Sequence, residues 1–279
     1  MTTSPTVNRI SICSVRGAGS QQAQDLIAVE EPLEIQLSSD RTAPQTVSIT
    51  MRTPGNDAEL AAGFLWSEGA ITDTGQILAI QAEDNIVRVV TEPEVLAGLH
   101  RLSRNFYTTS SCGVCGKTSL DAIRQQARFP IAPEVPIVDR SILTTISDTV
   151  RQAQDAFNQT GGLHGAALLD IGGRLLDLRE DVGRHNAVDK LIGAQILTGQ
   201  LPLSGAILFL SGRASFELLQ KARMAGIPIV AAVGAPSSLA VEMARDAGVT
   251  LIGFLRGDRF NIYTGAARVN LTPSMETAL

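Results

Sequence analysis

An α/β architecture is predicted: a three-layer sandwich with a mixed sheet, preceded by a smaller N-terminal α+β domain. Three observations predict it. Downstream of residue 136 the segments run in the order α-β-β-α-β-α-β, which layers helices on a sheet. The run Ile229-Val230-Ala231-Ala232-Val233 is apolar at every position, as a strand covered on both faces requires. Phe129 to Pro136 carries prolines at 130, 133 and 136, a spacing that excludes helix and favours an extended spacer. The expected organisation is therefore a loosely ordered N-terminus at 1–24, an α+β domain at 25–129, a linker at 130–136 and an α/β domain at 137–279.

Residues 1–24 are polar, hold Gly17 and Gly19, and show no apolar period. Strands are expected at 25–29, 33–37 and 45–51, the last alternating Val47, Ile49 and Met51. After the Thr53-Pro54-Gly55 turn, Asn56 is placed to cap a helix, with Glu59 as its capping-box partner. Two more strands are expected at 77–80 and 86–90, then helices at 94–103 and 117–128. Beyond the linker, Ile142, Ile146, Val150, Ala153 and Phe157 define one amphipathic helix over 141–160. A hairpin pairs 164–171 with 174–178 across Gly172-Gly173. Helices at 186–198, 215–225 and 237–247 then alternate with strands at 206–210, 227–233 and 249–254.

Composition narrows the function. The net charge of −5 argues against a general polyanion binder, and 4% aromatic residues leave little for stacking nucleic-acid bases. The expected partners include neither nucleic acid nor membrane, since no run of eighteen apolar residues appears. Three cysteines and a polar N-terminus without a signal-peptide core point to a reducing compartment, the cytoplasm.

The chemistry is expected at Ser110-Ser111-Cys112-Gly113-Val114-Cys115-Gly116-Lys117. Two thiols two residues apart can close a disulfide, supply half a zinc site, or hold one activated thiol beside a helper. With only Cys13 besides, a four-cysteine zinc site cannot form within one chain, and no bound zinc is expected. Lys117 and a following helix start favour the thiolate. A second unusual stretch is Asp181-Val182-Gly183-Arg184-His185-Asn186-Ala187-Val188-Asp189-Lys190, polar yet set between an apolar strand and a helix. Loops at such strand ends bind ligands, and a helix start there suits an anion. Ser211-Gly212-Arg213-Ala214-Ser215 repeats the theme, and Gly234-Ala235-Pro236-Ser237-Ser238 is a third loop of this kind. Near the C-terminus, Gly253-Phe254-Leu255-Arg256-Gly257-Asp258-Arg259 presents two arginines around a glycine, which suits phosphate or a guanine edge. His164 and His185 lack the spacing of a metal motif and read as hydrogen-bonding histidines in a polar cleft.

Together these stretches resemble the FdhD/NarQ family, sulfur carriers needed to make active formate dehydrogenases. The resemblance rests on Glu31-Pro32, Pro54 with Glu59-Leu60-Ala61 and Gly63-Phe64, Ser67-Glu68-Gly69, and Ser111 to Gly116. It continues through Thr160 to His164, Asp181 to Lys190, Arg213-Ala214-Ser215, Lys221-Ala222, Gly253-Phe254 and Tyr263-Thr264.

The resemblance implies a cytidine-deaminase-like fold for the second domain. Deaminase chemistry itself does not fit. Ala187 stands two residues after His185 where a catalytic Glu belongs, and Ser211 to Phe216 contains no cysteine. The implied activity is sulfur transfer. A cysteine desulfurase loads a persulfide on Cys112, with Cys115 as relay or resolving thiol. The sulfur then passes to a molybdenum (or tungsten) bis(molybdopterin guanine dinucleotide) cofactor destined for an apo-formate dehydrogenase. The implied cofactor-binding residues are Phe254, Leu255, Arg256, Gly257, Asp258 and Arg259 with Arg184, His185 and Arg213, and GDP is the expected fragment mimic. A homodimer is compatible with this reading. The competing readings are a dithiol-disulfide reductase and a non-catalytic nucleotide- or cofactor-binding chaperone for the apo-dehydrogenase.

Overall fold

A computed structural model of the chain describes residues 6–40, 42–96 and 128–272. Most of the helix expected at 94–103, nearly all of that at 117–128, and the Cys112–Cys115 loop lie outside the described residues. Two compact units emerge, and each draws on separate stretches of chain. The first joins the described residues up to 96 with Gln154–Gly165 and Arg179–Leu197. The second joins 128–153, Ala166–Leu178 and 198–272. The division thus differs from a single boundary at 130–136, because two later segments belong with the N-terminal half.

The first unit opens with a ribbon where loose order was expected. β1 (Val7–Arg16) pairs antiparallel with β2 (Gly19–Ala28) along its whole length, from Val7↔Ala28 to Arg16↔Gly19. Gly17, at φ 58°, supplies the left-handed residue that a two-residue hairpin turn needs. The ribbon escaped the hydrophobic pattern because it is largely exposed, so polar residues such as Ser11, Ser14, Gln21, Gln22 and Gln24 interrupt its apolar positions. A four-stranded sheet follows, built from β3 (Glu31–Ser39), β4 (Thr42–Arg52), β5 (Ile77–Glu83) and β6 (Ile86–Thr91) in the order β4-β3-β6-β5. Leu33, Ile35 and Leu37 alternate onto one face of β3 and are fully buried with Val87 and Val89 of β6.

Helix α1 (Asp57–Ser67) buries Leu60, Leu65 and Trp66. Its start is not the predicted capping box. Asn56 is left-handed, at φ 60°, and its side chain makes no capping bond. Instead the buried Arg52 donates to both carboxylate oxygens of Asp57, at 2.9 and 3.0 Å, and to Asn85 Oδ1 at 3.0 Å. Glu59 pairs with Arg179 through both of its oxygens.

The helix expected over 141–160 is two helices, α2 (Arg140–Ala153) and α3 (Asp155–Thr160). Gln154 leaves the helical region at ψ 80°, and the Glu180 carboxylate accepts from Ala156 N and Phe157 N at 3.0 and 2.8 Å. An external cap therefore starts a new helix where a continuous one was expected.

The second unit is organised on a six-stranded mixed sheet. Its strands are β8 (His164–Asp170) and β9 (Leu175–Asp181), whose residues 164–165 and 179–181 are counted with the first unit, then β10 (Ala206–Leu210), β11 (Ile229–Ala232), β12 (Thr250–Arg256) and β13 (Arg259–Thr264). Their order is β13-β12-β11-β10-β8-β9. β10, β11 and β12 are parallel, while β8 and β13 run against their neighbours β10 and β12. α2 covers one face through Leu143, Ile146 and Val150, which pack with Ile207, Phe209, Ile229, Ala231 and Ile252. The intervening Leu208, Leu210, Val230 and Ala232 point the other way and are equally buried. That face belongs to the crossover helices α5 (Phe216–Met224) and α6 (Ser238–Asp246), since right-handed crossovers in one direction share a side. α4 (Arg184–Leu197) packs in the first unit. A short parallel pair, β7 (Val138–Asp139) with β14 (Val269–Asn270), joins the segment leading into α2 to the last strand of the second unit.

Candidate functional site

The Asp181–Lys190 stretch is not a loop. It comprises the last residue of β9, two connecting residues and the first half of α4. Asp181 is fully buried, and Lys190 Nζ lies 2.7 Å from its Oδ2. Thr53 N also donates to Oδ2, at 3.2 Å, while Gly183 N and Asn186 Nδ2 donate to Oδ1 at 2.8 and 3.2 Å. Lys190 in turn donates to Thr53 O at 2.7 Å, and Asn186 Nδ2 to Met51 O at 2.8 Å. Two further bonds close the network: Val182 N to Thr53 Oγ1 at 3.1 Å, and Ser67 Oγ to Asp189 Oδ1 at 2.9 Å. Buried charges persist only when paired and hydrogen-bonded, and this pair meets both conditions.

Glycines let α1 and α4 meet backbone to backbone. A Cβ on Gly63 would stand 1.9 Å from the Asp189 carbonyl oxygen, and one on Gly193 1.8 Å from that of Glu59.

Arg184 and His185, the two predicted binding residues of this stretch, open α4 and are only partly buried. Arg184 Nε is buried without a hydrogen-bond partner. His164 lies close enough to both for their charges to act on it. Burial first, then Arg184 and His185, hold its imidazole below the ordinary value of 6.5, and Asp181 acts in the opposite sense.

In the second unit the strand-to-helix loops meet at one edge of the sheet. Ala214 N donates to Ala235 O at 3.2 Å, Gly234 N to Gly212 O at 2.9 Å, and Ser237 N to Ala214 O at 3.0 Å. Phe254 N reaches Gly234 O at 3.2 Å, which draws β12 into the same group. Gly234 is needed here, since a Cβ would stand 3.0 Å from the Arg213 backbone. Arg213 itself is exposed.

The predicted binding run is a bulged hairpin. Phe254 takes φ 53°, rare for an aromatic residue, and leaves 41% of its surface exposed. Leu255 turns inward to the core, so only its backbone faces other uses, and its carbonyl accepts from Ser147 Oγ at 3.2 Å. Arg256 and Arg259 pair directly across the hairpin tip, with Gly257 at φ 54° and Asp258 between them. All four tip residues are exposed.

Arg184 and His185 thus sit in the first unit, Arg213 and 254–259 in the second. Cys112 and Cys115 lie outside the described residues; Cys13 is a free, exposed thiol on β1. Among the described residues no group of three or more His, Cys, Asp or Glu side chains is placed to hold a metal ion. None of their helices is long and apolar enough to cross a membrane.

The model of the FdhD/NarQ family matches residues 28–270. The chain belongs to that family. The match spans both units, so it takes in the α4 network as well as the arginine hairpin. Sulfur carrier protein FdhD of Streptomyces coelicolor is 50% identical over 274 residues, covering 94% of this chain and 95% of its own. The protein of the same name from Sulfurisphaera tokodaii is 42% identical over 267 residues, covering 94% and 99%. A solved structure from Desulfotalea psychrophila, described as a candidate formate dehydrogenase accessory protein, aligns with a TM-score of 0.74 at 23% identity. It covers 95% of this chain and 100% of that one and shows the shared fold. Sequence reasoning missed the buried roles of Asp181, Asn186, Asp189 and Lys190 in this family member. Their one visible signal was a polar run at helical spacing (186, 189, 190) inside an otherwise apolar segment.

Proposed function

We propose that this FdhD/NarQ family member takes a sulfane sulfur at Cys112 and passes it to a molybdenum (or tungsten) bis(molybdopterin guanine dinucleotide) cofactor. Its role as a sulfur carrier, a sulfurtransferase in formate dehydrogenase maturation, follows from the family. The Cys112 thiolate attacks the outer sulfur of a cysteine desulfurase persulfide, takes that sulfur and releases the desulfurase thiolate. Cys115 then attacks the Cys112 sulfur, forms the Cys112–Cys115 disulfide and expels the terminal sulfur as hydrosulfide toward the metal. An external dithiol resets the pair. This chemistry takes place in the cytoplasm, and the apo-formate dehydrogenase receives the finished cofactor.

The cofactor, as substrate, is held by the edge of the second unit. The observation that carries this is the Arg256↔Arg259 pair. Like charges directly opposite each other on a hairpin repel, and the arrangement gains stability when an anion lies against both. The exposed, left-handed Phe254 beside them offers a ring face to a guanine, and a strained φ is typical of such ligand clamps. We read this unit as cytidine-deaminase-like, because its three layers and mixed sheet follow that plan with the zinc-binding positions replaced.

Calorimetry with GDP tests the pocket. Each charge-assisted contact contributes about 1.5–3 kcal/mol, so Arg256→Ala and Arg259→Ala should each weaken binding roughly ten- to a hundred-fold. Binding should fall with salt and favour GDP over ADP. Unchanged affinity in both variants would remove the pocket from this hairpin.

A further inference from the structure

A cavity of about 340 Å³ opens in the second unit, within the size range of small-molecule sites. Ile131, Pro133 and Val249 give it apolar walls, and its charged groups are Glu134, Arg245 and Arg268. It is remote from the arginine hairpin. Val249, in its wall, directly precedes β12, and Arg256 ends that strand, so seven extended residues, roughly 20 Å, separate the two places.

Arg268 is the buried cation, 4% exposed. Its Nε donates to Val135 O at 2.9 Å, Nη1 to Gly248 O at 2.8 Å and Thr250 Oγ1 at 3.2 Å, and Nη2 to Ala132 O. All four acceptors are neutral, so they fix the side chain without compensating its charge. A guanidinium has five donors, which leaves one Nη2 hydrogen over. Burial lowers the pKa of this group and Glu134 acts in the opposite sense, yet the two form no ion pair. Arg245 is exposed in the last turn of α6, with no hydrogen bond or ion pair among the described residues. Glu134 holds φ 58°, a left-handed conformation of the kind that recurs at ligand clamps. Stapling the linker to the end of α6 accounts for the four bonds of Arg268. It leaves two guanidiniums and a carboxylate around an apolar cavity, none bonded to another.

We propose that this cavity binds a free α-amino acid with an apolar side chain, its carboxylate on Arg245 and Arg268 and its ammonium on Glu134. A guanidinium fork matches two carboxylate oxygens. The C-terminal end of α6 carries partial negative charge, which adds to Glu134 as a partner for the ammonium. Ile131, Pro133 and Val249 receive the side chain, and burying its apolar surface supplies affinity that exposed ion pairs alone do not. A plain carboxylic acid satisfies the arginines but is repelled by Glu134, and an amine does the reverse. The zwitterion answers all three charges. Because Ile131, Pro133 and Glu134 lie in the linker and Arg245 and Arg268 do not, the ligand also ties the linker to the rest of the unit.

Calorimetry and thermal melts of the full chain test the site, with L-alanine, L-leucine and L-methionine as probes. L-Leucine should bind saturably and raise the melting temperature as its concentration rises. It should bind at least about tenfold more tightly than 4-methylpentanoate, which lacks the ammonium, or 3-methylbutylamine, which lacks the carboxylate. Arg245→Ala should weaken leucine binding at least about tenfold, and Glu134→Gln should erase the preference for leucine over 4-methylpentanoate. Both positions are exposed, so both variants keep the fold. The absence of any heat or melting shift with all three amino acids at millimolar concentration would overturn the site. So would equal leucine affinity in the parent and Arg245→Ala, or a Glu134→Gln protein with the preference intact. N-Acetyl-L-leucine, which mimics the last residue of a peptide, should bind weakly. If it bound more tightly than leucine, the cavity would belong to a protein C-terminus and the amino-acid assignment would be wrong.

Discussion

Lys190→Met is the sharpest test of how the first unit is held together. Lys190 is 1% exposed, and its ammonium sits 2.7 Å from both Asp181 Oδ2 and Thr53 O. Methionine fills nearly the same volume and removes only the charge and the donors. Removing one partner of a buried ion pair typically costs about 3–5 kcal/mol, because the other charge is left uncompensated. Three N–H donors remain on Asp181, which offsets part of the loss, while the Thr53 carbonyl becomes an unsatisfied acceptor worth about 1–3 kcal/mol. The expected loss is about 3–4 kcal/mol, a large share of the roughly 5–15 kcal/mol available to a folded protein. Urea unfolding with linear extrapolation measures it, the midpoint falling while the slope is kept. Asp181→Asn combined with Lys190→Met should be more stable than the two single losses sum to, by about 1 kcal/mol or more. A single variant losing under about 1 kcal/mol, or strict additivity in the double, would refute the network as the unit's structural centre.

Three other outcomes follow from the same geometry. Gly63→Ala gains about 1 kcal/mol of helix propensity but must push α1 from the Asp189 carbonyl, at about 1–3 kcal/mol or more. A lower melting temperature is therefore expected, and a raised one would mean that the helices separate freely. His164 has its imidazole held below 6.5 by burial and by Arg184 and His185, so it favours the neutral form in the folded state. The unfolded chain binds the proton first as pH falls below 6.5, and stability should drop until the folded-state value is passed. Thermal melts from pH 8 to 5 should show a slope that His164→Asn flattens; an unchanged slope would assign the effect elsewhere. Cys112→Ala should abolish the gain of sulfur seen by mass spectrometry after incubation with a desulfurase and cysteine, with the fold kept. Continued maturation of the client dehydrogenase by that variant would overturn the thiol assignment.

Much of the second unit was legible because its signals are local. The strand at 206–210 and the helices after Ser215 and Ser237 were expected within a residue or two of where they lie. Fully apolar runs bounded by glycine turns and serine caps leave little choice. The β1–β2 ribbon was illegible because an exposed hairpin needs no apolar face. β13 was missed for a related reason: it is partly exposed, so Arg259, Asn261 and Thr264 break up its apolar positions. The break at Gln154 depends on Glu180, which approaches from a distant part of the sequence. Of the candidate site, the arginines and glycines were visible as residue types. The pairing of Arg256 with Arg259 and the isolation of Arg184 are facts of register and burial.

The Asp181–Lys190 motif shows how one short stretch can serve two ends. Asn186, Asp189, Lys190 and Gly193 recur at the spacing of one helix face. That face is turned inward: Asn186 to Met51, Asp189 to Ser67, Lys190 to Thr53, and Gly193 against Glu59. Arg184 and His185 precede that face and stay partly exposed at the helix start. Substitutions in the first set should lower stability and function together. Substitutions at Arg184 or His185 should leave the urea midpoint little changed. The inward set fixes the angle at which α4 leaves β9, and so fixes where Arg184 points. The two roles are coupled: the buried salt bridge holds the helix whose first turn carries the charge.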